Sequence, residues 1–261
     1  MATGTDHFGR VLVFVAHPDD ESIGCSALLQ RAIEALVVFA VDGAPPHYGF
    51  ESTFHSLLNY SETRFREASR ALGRIPNCSL RRLPLTNGTW FVDQHLFLSL
   101  PKAFTSLLQI AHEFSPDLLV SHAFEGGHID HDACHVLARQ AARVLSLRHL
   151  EFPLYWRSER GQDIFQRFRG TRDGEFTLEL SPQELLVKHH MLAEYRTQQR
   201  VTSLFRPEKE RFRPMIQDDL ATSTWSRYPF ENRRRQLKAE LFFQKIDDFQ
   251  LGLTRVTGDR V

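Results

Sequence analysis

The sequence predicts an α/β protein: a doubly wound, mostly parallel sheet with helices on both faces and a small C-terminal α+β extension. Three observations carry that expectation. Continuous apolar runs such as Val11-Leu12-Val13-Phe14-Val15 suit strands that are covered on both sides. Segments of helical periodicity alternate with these runs, which is the pattern of a parallel sheet built from crossover connections. Two clusters of His and Asp follow two of the runs directly, at the carboxyl ends of strands, where open α/β sheets bind ligands.

The elements follow in order. After the strand 11–15, Asp20-Glu21 open a helix that carries Ala27, Leu28, Leu29 and Ile33, with the acidic pair favourable at its N-terminus. Residues 35–41 read as a second buried strand, ended by the loop Asp42-Gly43-Ala44-Pro45-Pro46. A helix over 53–72 has Leu57, Leu58, Phe65, Ala68 and Leu72 at apolar positions and stops at Gly73. A third strand, 80–85, meets the turn Thr86-Asn87-Gly88, and a helix over 98–114 has Pro101 in its first turn. A fourth strand, 117–122, precedes a helix over 130–147 and a fifth strand over 150–156. Residues 157–174 are charged and punctuated by glycine, as suits a loop or flap, and 175–180 alternate as an exposed strand. Ser181-Pro182-Gln183-Glu184 then combines a Ser cap, an early Pro and an acidic first turn, opening a helix to about residue 200. The chain thus divides into a Rossmann-like core, 1–156, and an extension, 157–261, that completes the pocket without forming an independent domain.

Composition sets limits on function. At 261 residues and 42% hydrophobic content the chain can bury one large core and a small lobe. Lys+Arg and Asp+Glu each number 32, so no global basic field favours nucleic acid. The run Arg233-Arg234-Arg235, balanced by Glu231 and Glu240, reads as a solvated helix face. No apolar stretch reaches the roughly 18 residues of a membrane span. Residues 1–7 lack a basic-then-apolar signal. Cys25, Cys78 and Cys134 are an odd number without metal-ligand spacing, as expected of reduced thiols in a cytoplasmic protein. A homo-oligomer is compatible with all of this, and nothing in the sequence sets its size.

The chemistry lies in the two clusters. The first is Ala16-His17-Pro18-Asp19-Asp20-Glu21; the second is Gly126-Gly127-His128-Ile129-Asp130-His131-Asp132. If the strands before them are the first and fourth of a doubly wound sheet, they are neighbours at the point where strand order reverses. His17, Asp20 and His131 then meet from more than a hundred residues apart. Three protein ligands with one open position are what a catalytic zinc requires, whereas a closed structural site takes a fourth, usually Cys. Fe(II) and Co(II) accept the same donors, so the ion itself stays open.

Together the two motifs make the chain resemble the PIG-L/LmbE-type zinc-dependent N-deacetylases, which act mostly on small molecules containing N-acetylglucosamine. The resemblance spans roughly residues 9–200 and includes Asp42-Gly43, Arg64-x-x-Glu67 and Lys188…Tyr195-Arg196-Thr197-Gln198. It implies one Zn²⁺ per chain on His17, Asp20 and His131, with Asp19 as the general base. Taken alone, Asp19 reads equally as a cap for the Asp20-Glu21 helix. The resemblance further implies that His128 stabilises the oxyanion or acts as an acid when protonated. Asp130 would orient His128 or cap the helix. Glu21 reads as a cap or an acceptor behind the ligands. Arg64 matches an arginine that contacts the sugar in relatives, or pairs with Glu67 on a surface helix; Gln198 matches a glutamine near the pocket.

Two features test the assignment. His131 and His135 share a helix face at His-x-x-x-His zinc spacing, yet the resemblance favours His131 only and leaves His135 in packing. Some family members also carry a tyrosine two residues before the histidine matched by His128, where Gly126 stands here; Ile129 replaces a common Pro. Tyr195, His122 or the metal would then make up for the missing hydroxyl. His122, at a strand end, reads as pocket-lining or as a core histidine.

The leading expectation is therefore a zinc-dependent hydrolase that removes the N-acetyl group from an N-acetylglucosamine-type sugar or glycoconjugate. An amidase for a larger acyl group or a thiol-sugar conjugate would use the same site. A non-catalytic sugar- or nucleotide-binding module is disfavoured because no Gly-x-Gly-x-x-Gly follows the first strand.

Overall fold

A computed structural model describes residues 8–46, 56–85, 88–215 and, with side chains for 240–253 only, 233–257. Five parallel strands form its centre: β1 (Phe8–Val15), β2 (Ala32–Phe39), β3 (Cys78–Arg82), β4 (Leu118–His122) and β5 (Arg148–Phe152). A hairpin of β6 (Tyr155–Arg157) and β7 (Asp163–Phe165) stands beside the sheet. Two antiparallel strands, β8 (Phe176–Glu179) and β9 (Lys209–Pro214), extend the sheet, so its order is β3-β2-β1-β4-β5-β9-β8. The helices are α1 (Asp20–Gly24), α2 (Ser26–Arg31), α3 (Leu57–Leu72), α4 (Leu100–Phe114), α5 (Ile129–Leu145), α6 (Pro182–Glu194), α7 (Gln199–Thr202) and α8 (Arg233–Thr257).

β1 shows why its sequence is apolar throughout. Leu12 and Phe14 join one core with Phe104 and Leu107 of α4, Leu137 of α5, and Phe242 and Phe249 of α8. Val11, Val13 and Val15 join the other with Ile23, Leu28, Leu72, Met191 and Tyr195 from α1, α2, α3, α6 and the residue after α6. A strand covered on both faces has no polar face to show. Pairing of β1 with β4, from Val11↔Leu118 to Phe14↔Ser121, sets the two motif strands side by side. The predicted doubly wound α/β fold is therefore the observed one.

Several boundaries differ from expectation, each for a tertiary reason. The helix after β1 breaks at Cys25, so α2 has its own N-terminus, whose Ala27 and Leu28 amides donate to the Glu210 carboxylate from β9. Lys188 pairs with the same carboxylate at 2.7 Å. Ile33, expected in that helix, lies in β2 and is exposed. β5 stops at Phe152 because Pro153 offers no N–H to the ladder, and the chain restarts as β6. The segment 157–174 thus contains half of a hairpin rather than only loop. The helix opening at Ser181 has both reciprocal bonds of the expected capping box but ends at Glu194, short of residue 200. The predicted helix start at 53–55, the turn residues 86–87 and the side chains of Arg233-Arg234-Arg235 lie outside the described residues.

Candidate active site

The turn after β1 folds on its own backbone. The His17 amide donates to Asp20 Oδ2 at 2.8 Å, and the Ser22 and Ile23 amides donate to the Asp19 carbonyl at 3.1 Å. Asp19 sits at φ 137°, ψ −30°, a conformation that non-glycine residues adopt at a cost and that clusters at functional positions. Its side chain makes no cap bond, so the cap reading of Asp19 fails. Instead its carboxylate faces the Arg64 guanidinium at 3.2 Å. Arg64 is buried and also donates to the Pro18 and Gly43 carbonyls, each at 2.8 Å. It is neither a surface residue nor the partner of Glu67, which accepts from the Thr197 amide and hydroxyl.

Glu21 is fully buried beneath the turn, where it accepts from the Asp19 amide, the Ser22 hydroxyl and the Tyr195 hydroxyl. Tyr195 is therefore committed behind the site and does not face it. Tyr195→Phe should cost about 1–3 kcal/mol, the penalty for a buried acceptor that loses a donor. Chemical denaturation checks the loss; kcat of the folded protein should stay near wild type.

The turn after β4 is held by glycine and by Asp132. Gly126 has φ +70°, and both it and Glu125 donate backbone N–H bonds to the Asp132 carboxylate at 2.9–3.1 Å. A Cβ on Gly127 would lie 2.0 Å from the Tyr155 carbonyl oxygen, so only glycine lets the turn pass β6. His128 is the N-cap of α5, its Nδ1 accepting from the Asp130 amide at 3.2 Å. The cap is thus His128 and not Asp130. The Asp130 carboxylate accepts from the Gln94 and Leu96 amides and approaches His17 Nε2 at 3.7 Å. It therefore braces His17 and the loop before α4, whereas orientation of His128 was expected.

Donor atoms of three residues converge between the turns. His17 Nδ1 lies 3.3 Å from Asp20 Oδ2, His131 Nε2 lies 3.4 Å from Asp20 Oδ1, and the two His nitrogens are 3.3 Å apart. Donors at the corners of a tetrahedron with bonds of about 2.0–2.1 Å stand roughly 3.3–3.4 Å apart, which is the separation of the two His nitrogens and of each from one of the two Asp20 oxygens. Ligand-type atoms within 4.8 Å of one another group His17 with His128 and His131, His17 with Asp93, His128 and Asp130, and Asp20 with His122 and His131. Asp93, which no motif marks, completes a fourth contact: its Oδ1 lies 3.4 Å from His17 Nε2. A carboxylate on the far nitrogen fixes the tautomer that presents Nδ1 to an ion.

The electrostatics are those of a crowded buried cluster. Burial alone would lower His17, but Asp93, Asp130 and Asp20 outweigh it and hold it well above its ordinary value. Burial raises Asp19 to about 8, with the Arg64 charge opposing and Asp20 reinforcing. Burial, with His17 and His131 nearby, lowers His128 to about 4, so it is neutral near pH 7.

The other expected residues lie around this centre. His122 is fully buried, accepts from the Ala16 amide at 3.1 Å and stacks on His131 with ring centroids 4.0 Å apart. His135 turns away to the His122 carbonyl and Glu151, so the His-x-x-x-His pair is not a ligand pair. Gln198 donates to the Tyr60 hydroxyl at 2.6 Å. Tyr155, absent from the expectations, places its ring 5.4 Å from that of His131.

The family model of PIG-L, the GlcNAc-PI de-N-acetylases, matches residues 12–142, just over half of the chain and both motif turns. The chain belongs to the PIG-L family. As a PIG-L protein it is a hydrolase of the metal-dependent N-deacetylase class. No curated protein matches it in sequence. Among solved structures, teicoplanin deacetylase Orf2 in its zinc-inhibited form is 17% identical, with a TM-score of 0.58 over 81% of this chain and 100% of that one. N,N'-diacetylchitobiose deacetylase from Pyrococcus horikoshii is 15% identical, with a TM-score of 0.52 over 85% and 87%. The 4-carboxy-2-hydroxymuconate hydratase GalB from Pseudomonas putida KT2440 is 13% identical, also with a TM-score of 0.52, over 75% and 82%. At such identities these structures speak for the fold alone, and the hydratase among them shows that the fold serves more than one reaction.

Proposed function

We propose that this PIG-L protein removes the N-acetyl group from an N-acetylglucosamine-type sugar or glycoconjugate, using one Zn²⁺ held by His17, Asp20 and His131. The observation that carries the reading is that His17 Nδ1 and His131 Nε2 lie 3.3 Å apart, each within 3.3–3.4 Å of a different oxygen of Asp20, beside the buried carboxylate of Asp19, which is outside this set. A bound divalent ion supplies Lewis acidity, which brings the pKa of water from 15.7 toward about 7 and polarises a carbonyl. The family's description, the GlcNAc-PI de-N-acetylases, supports the amino-sugar substrate.

The protein's own groups do the rest. Asp19 takes the proton of the attacking water and passes it to the departing amine, as a base with a pKa near the working pH does best. Arg64 holds that carboxylate and the Pro18–Asp19 backbone in place, a positioning role rather than contact with sugar. Neutral His128, with Nδ1 accepting from Asp130, carries its proton on Nε2 and so donates to the developing oxyanion. Asp93 and Asp130 orient His17. Gln198, whose amide donates to the Tyr60 hydroxyl, keeps a substrate role only as the family resemblance implies it. The extension 157–261 completes the pocket as part of one unit, supported by the joining of β9 to β5. Three free cysteines support a reducing, cytoplasmic setting, and no described helix is long and apolar enough to cross a membrane.

Zinc-loaded protein incubated with a panel of N-acetylated amino sugars and conjugates, read by mass spectrometry, should show loss of acetyl from at least one glucosamine derivative. Loss of a larger acyl group with every N-acetyl compound intact would overturn the acetyl assignment. His128→Ala should lower kcat about 10²–10³-fold with KM little changed, as removal of an oxyanion donor does. Because His128 also caps α5, about 0.5–2 kcal/mol of stability should go with it. Near-normal kcat with full zinc would remove His128 from the mechanism.

A further inference from the structure

Amide hydrolysis places a negative charge on the former carbonyl oxygen, and that oxygen needs donors aimed at it beforehand. Few side chains here can donate. Asp19, Asp20, Asp93 and Asp130 are carboxylates, His17 and His131 face Asp20 and each other, and His122 is sealed at 0% exposure. Gly126 has no side chain, and its φ of +70° disfavours any larger residue there. The Tyr195 hydroxyl is bound to Glu21 and the Tyr60 hydroxyl to Gln198. Arg64 commits its terminal nitrogens to the Gly43 and Pro18 carbonyls and the Asp19 carboxylate. Tyr155, half-buried on β6, is a further donor whose hydroxyl makes no hydrogen bond among the described residues.

Its position is tightly set by the second motif. The Tyr155 amide donates to Glu125 Oε2 at 3.2 Å, as does the Leu154 amide at 2.8 Å. Gly127 packs against the Tyr155 carbonyl from the other side. The ring meets His131 edge-on at 5.4 Å, with the Phe165 and Phe205 rings each 6.3 Å away. A phenol whose ordinary pKa is about 10 is an O–H donor at neutral pH.

We propose that Tyr155 is a catalytic residue that donates its hydroxyl hydrogen bond to the oxyanion, in the role left open by Gly126. This rests on the deacetylase reading, since only amide hydrolysis calls for that donor. Two segments would then share the oxygen: the motif turn through His128 and the strand β6 through Tyr155.

Tyr155→Phe tests it, because the ring and its aromatic neighbours are retained. On zinc-loaded protein and a substrate that the wild type deacetylates, kcat should fall about 10²–10³-fold with KM little changed. Binding of a phosphonamidate analogue of the tetrahedral species, read by calorimetry, should weaken by a similar factor, while the amine product binds as before. Zinc per chain and melting temperature should match wild type. An active wild type with kcat in the variant within about threefold, or with the loss confined to KM, overturns the proposal alone. Loss of zinc in the variant overturns it too, by making Tyr155 a structural support. A wild type that releases no acetate from any compound overturns the deacetylase reading and this proposal with it.

Discussion

Asp19→Asn should keep its metal and lose about 10²–10⁴-fold in kcat, the contribution of a positioned general base. Asn has the shape of Asp and still accepts from Arg64. What disappears is the site that takes a proton. Arg64 keeps the Pro18 and Gly43 carbonyls as partners, so the turn should survive its loss of a counter-charge. Stopped assays of acetate release with zinc measured on the same preparation decide the matter. A change of less than about threefold would show that another group is the base.

His131→Ala should abolish activity by a different route. It removes the donor that stands 3.3 Å from His17 Nδ1 and 3.4 Å from Asp20 Oδ1, and it opens a gap beside the stacked His122 ring. Two remaining ligands from one short turn hold an ion poorly, so zinc should fall well below one equivalent per chain. Acetate release should drop to background even in zinc at the wild-type saturating level. By contrast His135→Ala should keep zinc, because His135 faces Glu151 and the His122 carbonyl. Full zinc in His131→Ala, or its loss only in His135→Ala, would reverse the assignment of the two histidines.

How much of this was legible in the sequence depends on how locally each feature is encoded. The sheet core was, because β1 and β4 are apolar on both faces and that leaves no other strand type. The convergence of His17, Asp20 and His131 followed from strand adjacency at the reversal of order. Asp93 was not legible: it reaches His17 from a loop without a motif, placed by the packing before α4. The break at Cys25 was hidden for the same kind of reason, since Glu210 arrives from β9 far along the chain. Arg64 did leave a trace. It lies four residues before Ala68 on the buried face of α3, and a charge on that face implies a buried partner, here Asp19. Tyr155 was masked by Pro153, which turns the end of a predicted strand into a separate hairpin over the site.

The most direct measurement is acetate release from a responsive N-acetylglucosamine derivative while Zn²⁺ is titrated into chelator-stripped protein. The account predicts no release from the stripped protein and a linear rise that ends at one equivalent per chain. Release that is undiminished in the stripped protein, or that does not respond to added ion, would contradict a catalytic metal on His17, Asp20 and His131.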